Sequence, residues 1–333
     1  MNTLPERAPL SDKFAIWEND VIEARQRIAS FIHRTPVLTC STLNENIDAS
    51  VFFKCENFQK TGSFKFRGAC NAVASLSESE RARGVVTHSS GNYAQALARA
   101  ASLHGVPAYI VIPEDASEVK KQATIGYGAT ITLCPPTHAG RHNAAARIQE
   151  ETGATFLDSH DDARVFAGQG TACLELMDEI SKLDLILAPI GGGGLLAGTL
   201  LAAKHALPNI AVIGCEPAGA DDAARGIARG ERIVNFFPQT IADGLRTPLG
   251  ENTFSIIQAL ADDIVLVSES DIIHAMQFIW ERMKIVIEPS SAVAVAPLLT
   301  GSVTAARKRI GVILSGGNVD LTQFFKLLTA APM

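Results

Sequence analysis

The segment ENFQKTGSFKFRGA, residues 56–69, places Lys65 between Phe64 and Phe66, directly after a Thr-Gly-Ser turn. If this run is buried, the lysine ammonium loses hydration, its pKa falls, and the neutral amine becomes a nucleophile for carbonyl groups. The alternative is a surface lysine whose aliphatic stem covers apolar neighbours. An isolated Phe-Lys-Phe favours that surface alternative, so the choice depends on the sequence around it.

Outside this segment, short apolar runs alternate with helical patterns along almost the whole chain. The predicted strands are residues 51–53, 84–87, 108–112, 130–133, 154–157, 183–188, 210–215, 264–267 and 309–314. The predicted helices are residues 92–104, 139–151, 166–181, 195–206 and 269–283. This βαβ alternation predicts an α/β fold of parallel sheets covered by helices on both faces.

Length and composition bound the remaining possibilities. A chain of 333 residues is long for a single core, so two domains or one large α/β unit are expected. The net charge of −6 and the lack of a basic run argue against a nucleic-acid or anionic-membrane partner. No apolar run is long enough to span a membrane. Six scattered cysteines without CxxC spacing suit reduced thiols in a cytoplasmic protein.

Four consecutive glycines, Gly191, Gly192, Gly193 and Gly194, follow the predicted strand 183–188 and open a helix. Glycine lets backbone amides approach a phosphate closely, and the start of a helix adds its positive dipole end. The alternative is a tight turn without a ligand. The run is not a GxxxxGK[ST] motif and fits GxGxxG poorly.

Two polar loops also follow predicted strands. Residues 88–92, His-Ser-Ser-Gly-Asn, precede a helix, and ordinary N-capping by Ser or Asn would explain them. Residues 315–320, Ser-Gly-Gly-Asn-Val-Asp, follow the last strand and would also suit a simple turn.

Three charged positions have both a functional and an ordinary explanation. The loop 216–222, Glu-Pro-Ala-Gly-Ala-Asp-Asp, offers two carboxylates and a carbonyl that suit Mg²⁺ or Ca²⁺, although acidic loops are more often merely solvated. Arg141 heads a helix and would otherwise lie on a solvated face. Glu288 precedes Pro-Ser-Ser, which predicts a helix start with a capping serine and a proline near its first position; Glu288 could also lie near a cofactor.

Together, the lysine segment, the tetraglycine run and the Ser-Ser-Gly-Asn and Ser-Gly-Gly-Asn loops resemble the fold-type II pyridoxal-phosphate (PLP) enzymes, in particular the serine/threonine dehydratase and serine racemase family. The resemblance extends from about residue 21 to residue 327. It implies a tryptophan synthase β-like α/β fold, with two parallel-sheet-based domains and the cofactor between them. A large PLP-binding domain would comprise residues 1–82 and 158–333, and a small mobile domain residues 83–157.

The resemblance also implies roles for individual residues. Lys65 would hold PLP covalently and remove the α-proton, and Ser90 would be the second catalytic residue, on the opposite face of the cofactor. Cofactor contacts are expected from Phe64, Lys65, Asn92, Gly191, Gly192, Gly193, Gly194 and Ser315. Substrate contacts are expected from Ser89, Ser90, Gly91, Asn92 and Arg141. A divalent cation, Mg²⁺ or Ca²⁺, would bind Glu216, the Ala220 carbonyl and Asp222.

Some positions depart from the family pattern. The family commonly has histidine where this chain has Tyr93, an acidic residue where it has His142, serine where it has Cys40, and asparagine where it has His160. Relatives regulated by ATP bind it at positions matching Cys40, Ser41, Thr42, Lys60, Thr61, Gln95 and Tyr127. These departures leave two questions open: whether ATP is an effector, and which substrate is preferred.

The sequence therefore predicts a cytoplasmic, homodimeric enzyme of amino-acid metabolism that uses PLP. The predicted reaction is that of an ammonia-lyase (dehydratase), which converts L-serine, L-threonine or a related β-hydroxy amino acid to a 2-oxo acid and ammonia. Serine racemase activity, alone or combined with dehydration, and threo-3-hydroxyaspartate dehydration are alternatives. A β-replacement synthase, a NAD-dependent dehydrogenase and a catalytically inactive binding protein are further alternatives, and the retention of Lys65, Ser90 and Ser315 argues against the last.

Overall fold

The computed structural model describes residues 12–116, 118–321 and 325. Within these residues the strands form two sheets, one of six strands in the order β1-β2-β10-β7-β8-β9 and one of four in the order β5-β4-β3-β6. The strands are β1 (Val37–Leu38), β2 (Ser50–Cys55), β3 (Val85–His88), β4 (Ala108–Pro113), β5 (Thr130–Cys134), β6 (Thr155–Phe156), β7 (Leu185–Pro189), β8 (Ala211–Pro217), β9 (Asp263–Val267) and β10 (Arg309–Leu314). All nine predicted strands are confirmed, with their ends shifted by no more than two residues.

The pairing is parallel throughout the small sheet and through most of the large one. Central strand β10 pairs with β2 through Ile310 and Val51 and with β7 through Val312 and Leu187. These strands are nearly continuous apolar runs because both faces of the sheet are covered by helices. The exception is β1, a two-residue edge strand that pairs antiparallel with β2. It is too short to leave a pattern in the sequence, and the prediction missed it.

Helices cover both sheets. They are α1 (Asp12–Ile28), α2 (Ser41–Ile47), α3 (Lys65–Ala74), α4 (Glu78–Arg83), α5 (Asn92–Leu103), α6 (Glu118–Gly126), α7 (His138–Thr152), α8 (Ala163–Glu179), α9 (Gly194–Ala206), α10 (Asp222–Arg229), α11 (Glu251–Leu260), α12 (Glu269–Met283), α13 (Pro289–Ala292) and α14 (Ala296–Thr300). The five predicted helices are confirmed as α5, α7, α8, α9 and α12. A helix start was also predicted after Glu288, where α13 begins. The remaining helices were not predicted, and α3 matters most because Lys65 is its first residue.

The buried apolar residues form clusters on both faces of the six-stranded sheet, and a third and a fourth cluster on the two faces of the small sheet. In the third cluster, Phe66 and Val73 of α3 pack with Leu97 of α5 and Ile110 of β4. The lysine-bearing helix is thus enclosed on the side of the small sheet. All four strands of that sheet lie between Val85 and Phe156; the limits 83 and 157 for a mobile domain stay predictions.

A buried ionic network fixes α3 to its surroundings. Arg67 donates hydrogen bonds to Glu56 at 2.7 and 2.8 Å and to Glu175 of α8 at 2.8 and 2.9 Å, and all three side chains are buried. Lys54 on β2 pairs with Glu175 at 2.7 Å. Two cations therefore balance two anions in the interior, which is the condition under which buried charges are tolerated. The network holds the helix that begins at Lys65.

Candidate active site

The polar motifs meet at the carboxyl ends of parallel strands, where α/β sheets normally bind ligands. The lysine segment follows β2, the Ser-Gly-Gly-Asn loop follows β10 and the glycine run follows β7, and these three strands are neighbours. The Ser-Ser-Gly-Asn loop follows β3 of the small sheet. Chain direction thus brings together loops that are far apart in the sequence.

Lys65 is placed by a tight turn. Thr61 and Gly62 adopt left-handed φ angles of 60° and 73°. A Cβ at Gly62 would collide with the side chain of Asn318, so this close approach requires glycine. The backbone N–H of Phe64 then donates to the carbonyl of Ser315 at 2.9 Å. The lysine segment and the Ser-Gly-Gly-Asn loop are therefore locked to each other at the start of α3.

The Lys65 side chain is half-buried, and its amine is enclosed by a backbone carbonyl and two aromatic rings. Its Nζ donates to the Ser159 carbonyl at 2.9 Å and lies 5.1 and 5.8 Å from the ring centres of Phe64 and Tyr93. Burial lowers the pKa of Lys65 from 10.5 to about 8, although Asp158 and Glu288 oppose the shift. The surface-lysine alternative is wrong for this residue. A substantial fraction of the amine is neutral just above neutral pH, as nucleophilic and base chemistry require.

Asn92 is held by two partners from distant parts of the chain. Its Nδ2 donates to the Glu288 carboxylate at 2.9 and 3.0 Å, and its Oδ1 accepts from Asn318 at 3.0 Å. The predicted capping role is wrong: Asn92 is the first residue of α5, Gly91 is the N-cap, and no side chain caps the helix. Uncapped N–H groups at a helix start suit a carboxylate ligand.

Glu288 itself is the N-cap of α13 and makes no side-chain capping bond. The proline at the first helical position is confirmed, whereas the predicted capping serine is wrong. The buried carboxylate turns to Asn92 instead, and the backbone N–H of Glu288 donates to the Gly316 carbonyl at 3.0 Å. Glu288 thus links the loop that contains Asn92 to the loop that begins at Ser315, by hydrogen bonds to both.

The glycine run is built as an anion cradle. β7 ends at Pro189 and α9 begins at Gly194, and the N-cap Gly193 brings no side chain to the helix start. A Cβ on Gly192 would collide with the His160 ring, and the Gly192 carbonyl accepts from Thr253 Oγ1 at 2.9 Å. The loop thus has no room for side chains, and no side chain caps the start of α9. Backbone amides placed in this way suit the phosphate of PLP.

The segment Asp158–Asp162 connects β6 to α8 and was missed as part of the site. The Ser159 carbonyl receives the Lys65 hydrogen bond, and His160 packs against the glycine run. Asp161 caps α11, accepting from the backbone of Glu251, Asn252 and Thr253 at 2.9–3.0 Å. The run of polar residues after a predicted strand was a usable signal, but a backbone carbonyl leaves no sequence signature.

Arg141 is not joined to this cluster. It lies on α7, and its Nε is buried without a hydrogen-bond partner. Its positive charge favours the thiolate of Cys134 at the end of β5, although burial is the larger influence and raises the pKa of that thiol. No hydrogen bond or ion pair from Arg141 to Lys65 or Asn92 occurs in the described part of the chain. Its role toward substrate stays a prediction.

The acidic loop brings Glu216 and Asp222 into the interior. Glu216 accepts from the N–H groups of Ala223 and Ala224 at 2.8 and 2.9 Å, and Asp222 accepts from the N–H of Leu249 at 3.1 Å. Burial raises the pKa of Glu216 to about 8 and that of Asp222 to about 6. The solvated-loop alternative is therefore wrong for these two carboxylates.

Buried oxygen ligands of this kind suit a hard cation. No group of three or more His, Cys, Asp or Glu side chains with metal-binding geometry occurs in residues 12–116, 118–321 and 325. A cation here would need the carbonyl of Ala220 and water as further ligands, so the cation site stays a prediction.

Comparison with known proteins identifies the family. A model of the family described as pyridoxal-phosphate dependent enzyme matches residues 28–316. The chain belongs to this family. Serine racemase from Dictyostelium discoideum is 50% identical over 313 residues, covering 93% of this chain and 97% of the relative. β-Hydroxyaspartate dehydratase from Paracoccus denitrificans (strain Pd 1222) is 45% identical over 302 residues, covering 91% and 96%.

Solved structures agree with this assignment. The crystal structure of the Dictyostelium discoideum serine racemase superposes with a TM-score of 0.88, covering 91% of this chain and 99% of that one. The processed form of threonine deaminase isoform 2 from Solanum lycopersicum, at 29% identity, gives a TM-score of 0.92 and covers 100% and 97%. The fold-type II assignment is confirmed, and the chain is a PLP-dependent enzyme of the racemase and ammonia-lyase family. None of the described helices has the length and apolar composition needed to cross a membrane.

Proposed function

We propose that this enzyme is a dehydratase that converts a small β-hydroxy-α-amino acid, L-serine or L-threonine foremost, to a 2-oxo acid and ammonia. The observation that carries the proposal is the buried Lys65 amine, with its pKa lowered to about 8, at the meeting point of three polar loops. Bound PLP supplies an electron sink that makes the α-proton of an amino acid acidic.

Three groups of residues fit the cofactor. Lys65 would hold it covalently, the amides of the run Gly191–Gly194 would bind its phosphate, and Phe64, Asn92 and Ser315 would contact its ring. The Glu288 carboxylate orients Asn92 through two hydrogen bonds. The packing of glycine backbone against His160 and the uncapped start of α9 support this placement.

The same chain positions the substrate. The loop from Ser89 to Asn92 offers hydroxyls and the uncapped start of α5 to the substrate carboxylate. The neutral amine of Lys65 would remove the α-proton as general base, and the β-hydroxyl would leave with one proton as water, so that the elimination removes one H₂O. Water would then hydrolyse the released enamine to the 2-oxo acid and ammonia. A hard cation bound by Glu216, Ala220 and Asp222 would stabilise the fold at a distance from this chemistry.

Serine racemisation is the second candidate, because the Dictyostelium discoideum relative carries the name serine racemase. Racemisation shares the first proton removal and then needs a donor on the other face, a role proposed for Ser90. A β-hydroxyaspartate substrate is the third candidate, since a relative is named for that dehydration and Arg141 could bind a second carboxylate.

A substrate panel tests these candidates. Purified enzyme supplied with PLP and Mg²⁺ receives L-serine, L-threonine and L-threo-3-hydroxyaspartate. Both the 2-oxo acid and the D-amino acid formed by inversion at Cα, an enantiomer for serine and a diastereomer for the other two, are quantified. We expect a 2-oxo acid and ammonia in equal amounts from at least one substrate. Ser90→Ala should suppress D-amino acid formation more than 2-oxo acid formation, whereas Ser102→Ala, at an exposed serine near the end of the helix that follows the Ser90 loop, should change neither. D-amino acid without any 2-oxo acid would refute the dehydratase proposal.

A further inference from the structure

The ring of His160 lies directly against the glycine run. A Cβ on Gly192 would collide with ring atoms Cγ, Cδ2 and Nδ1 of this histidine, and a Cβ on Gly194 would collide with its backbone. The same short segment supplies the carbonyl of Ser159 to the Lys65 amine at 2.9 Å. His160 is therefore next to both the covalent anchor and the phosphate cradle proposed for PLP.

The orientation of the ring is fixed from one side. Nδ1 lies 3.0 Å from Asp158 Oδ1 and 3.1 Å from Ser159 Oγ. Asp158 is itself held, because the same Oδ1 accepts from the backbone N–H groups of His160 and Asp161, both at 2.8 Å. Carboxylates placed this way fix the tautomer and direction of an imidazole. The other nitrogen, Nε2, has no hydrogen-bond partner within residues 12–116, 118–321 and 325, which leaves it available to a ligand.

We propose that His160 is a phosphate-binding residue of this enzyme and that its imidazolium form contributes a charged donor to the glycine cradle. The proposal rests on the proposed function, since it concerns how this chain holds the PLP phosphate. The family resemblance places an asparagine here, which cannot change its charge. Histidine would make cofactor affinity depend on pH.

The charges around His160 set the direction of that dependence. The carboxylates of Asp158 and Asp161 face it, as do the cations of Lys65 and Arg232. Burial lowers the pKa of His160, Asp158 raises it, and Lys65 lowers it again, so the pKa in the free enzyme lies below 6.5. A phosphate dianion beside Nε2 would favour the charged imidazole. Binding would then take up a proton, and affinity would decline as pH rises through the pKa that His160 has in the complex.

The decisive probe is pyridoxine 5′-phosphate, because it lacks the aldehyde and cannot link to Lys65. Its dissociation constant is measured for cofactor-free wild-type enzyme, His160→Asn and His274→Asn between pH 6.5 and 8.5. His274 is an exposed histidine on α12 and serves as the matched control. At pH 6.5 we expect His160→Asn to bind about tenfold more weakly than wild type, as for loss of one charge-assisted hydrogen bond. The ratio should approach one at pH 8.5.

A second measurement follows the phosphate directly. The phosphorus resonance of PLP bound to the wild-type enzyme should titrate between pH 6.5 and 8.5, and the step should be absent in His160→Asn and retained in His274→Asn. Equal affinities and identical phosphorus titrations for wild type and His160→Asn would overturn the proposal, even in an enzyme that is fully active with PLP. Wild-type enzyme that binds PLP but turns over no amino acid would refute the proposed function and leave the role of His160 standing.

Discussion

Replacing Lys65 with methionine should stabilise the cofactor-free enzyme while abolishing its activity. Methionine has a similar length and no charge, so the exchange removes a buried ammonium without leaving a large cavity. The native charge is costly: the pKa of Lys65 falls from 10.5 to about 8 on folding. At about 1.4 kcal/mol per pKa unit, that shift corresponds to about 3 kcal/mol.

Two contributions reduce this figure. The Ser159 carbonyl loses its donor, which costs about 1 kcal/mol. The Lys65 side chain is also only partly shielded from solvent, so the full 3 kcal/mol is an upper limit. A net gain of about 2 kcal/mol in the free energy of unfolding is therefore expected at pH 7.

The pH dependence of the free energy of unfolding decides in which pH range Lys65→Met is more stable than the wild type. Lys65 is neutral more readily in the folded than in the unfolded chain, so the unfolded chain binds more protons between pH 8 and pH 10.5. Wild-type stability consequently rises relative to the variant across that window. The advantage of Lys65→Met is complete below pH 8 and lost as pH approaches 10.5.

Urea denaturation of the cofactor-free proteins at pH 7 and pH 9.5 measures this difference. At pH 9.5 the cost of keeping Lys65 charged in the folded protein has fallen to the equivalent of about one pKa unit. The hydrogen bond to Ser159 that the variant loses nearly offsets this remaining gain. Lys182→Met, at an exposed lysine, should change stability by no more than about 0.5 kcal/mol at either pH. A variant less stable than wild type at pH 7, or a gain equal at both pH values, would refute the reasoning.

Two further predictions concern other buried charged side chains, Arg67 and Glu216. Arg67→Leu leaves Glu56 and Glu175 buried without their shared cation, and we expect a loss of about 3–5 kcal/mol in urea denaturation. Arg25→Leu breaks an exposed ion pair and should cost at most about 1 kcal/mol; equal losses would contradict the buried network. Chelation should lower the melting temperature reversibly, since a cation at 100 times its dissociation constant adds about 2.7 kcal/mol. Glu216→Gln should abolish the response to Mg²⁺ or Ca²⁺, and a wild type indifferent to chelator would exclude the cation site.

The sequence by itself determined the fold class. Strands such as β7 and β10 are apolar runs buried on both faces, and their alternation with amphipathic helices leaves parallel α/β sheets as the solution. The family could also be recognised from the sequence, because the whole segment 56–69, the tetraglycine run and the Ser-Ser-Gly-Asn and Ser-Gly-Gly-Asn loops together match its motifs. These features are local, so a linear reading can find them.

Only the tertiary structure decided which side chains meet. The bond from Asn92 to Glu288 joins residues 196 positions apart, and that from Lys65 to the Ser159 carbonyl joins residues 94 apart. Any residue carries a backbone carbonyl, so nothing in the sequence marks Ser159 as a partner. The depressed pKa of Lys65 likewise arises from enclosure by segments that the chain brings in from elsewhere. Periodicity and local steric demand can be read along a chain, whereas burial and charge pairing depend on contacts that exist only after it has folded.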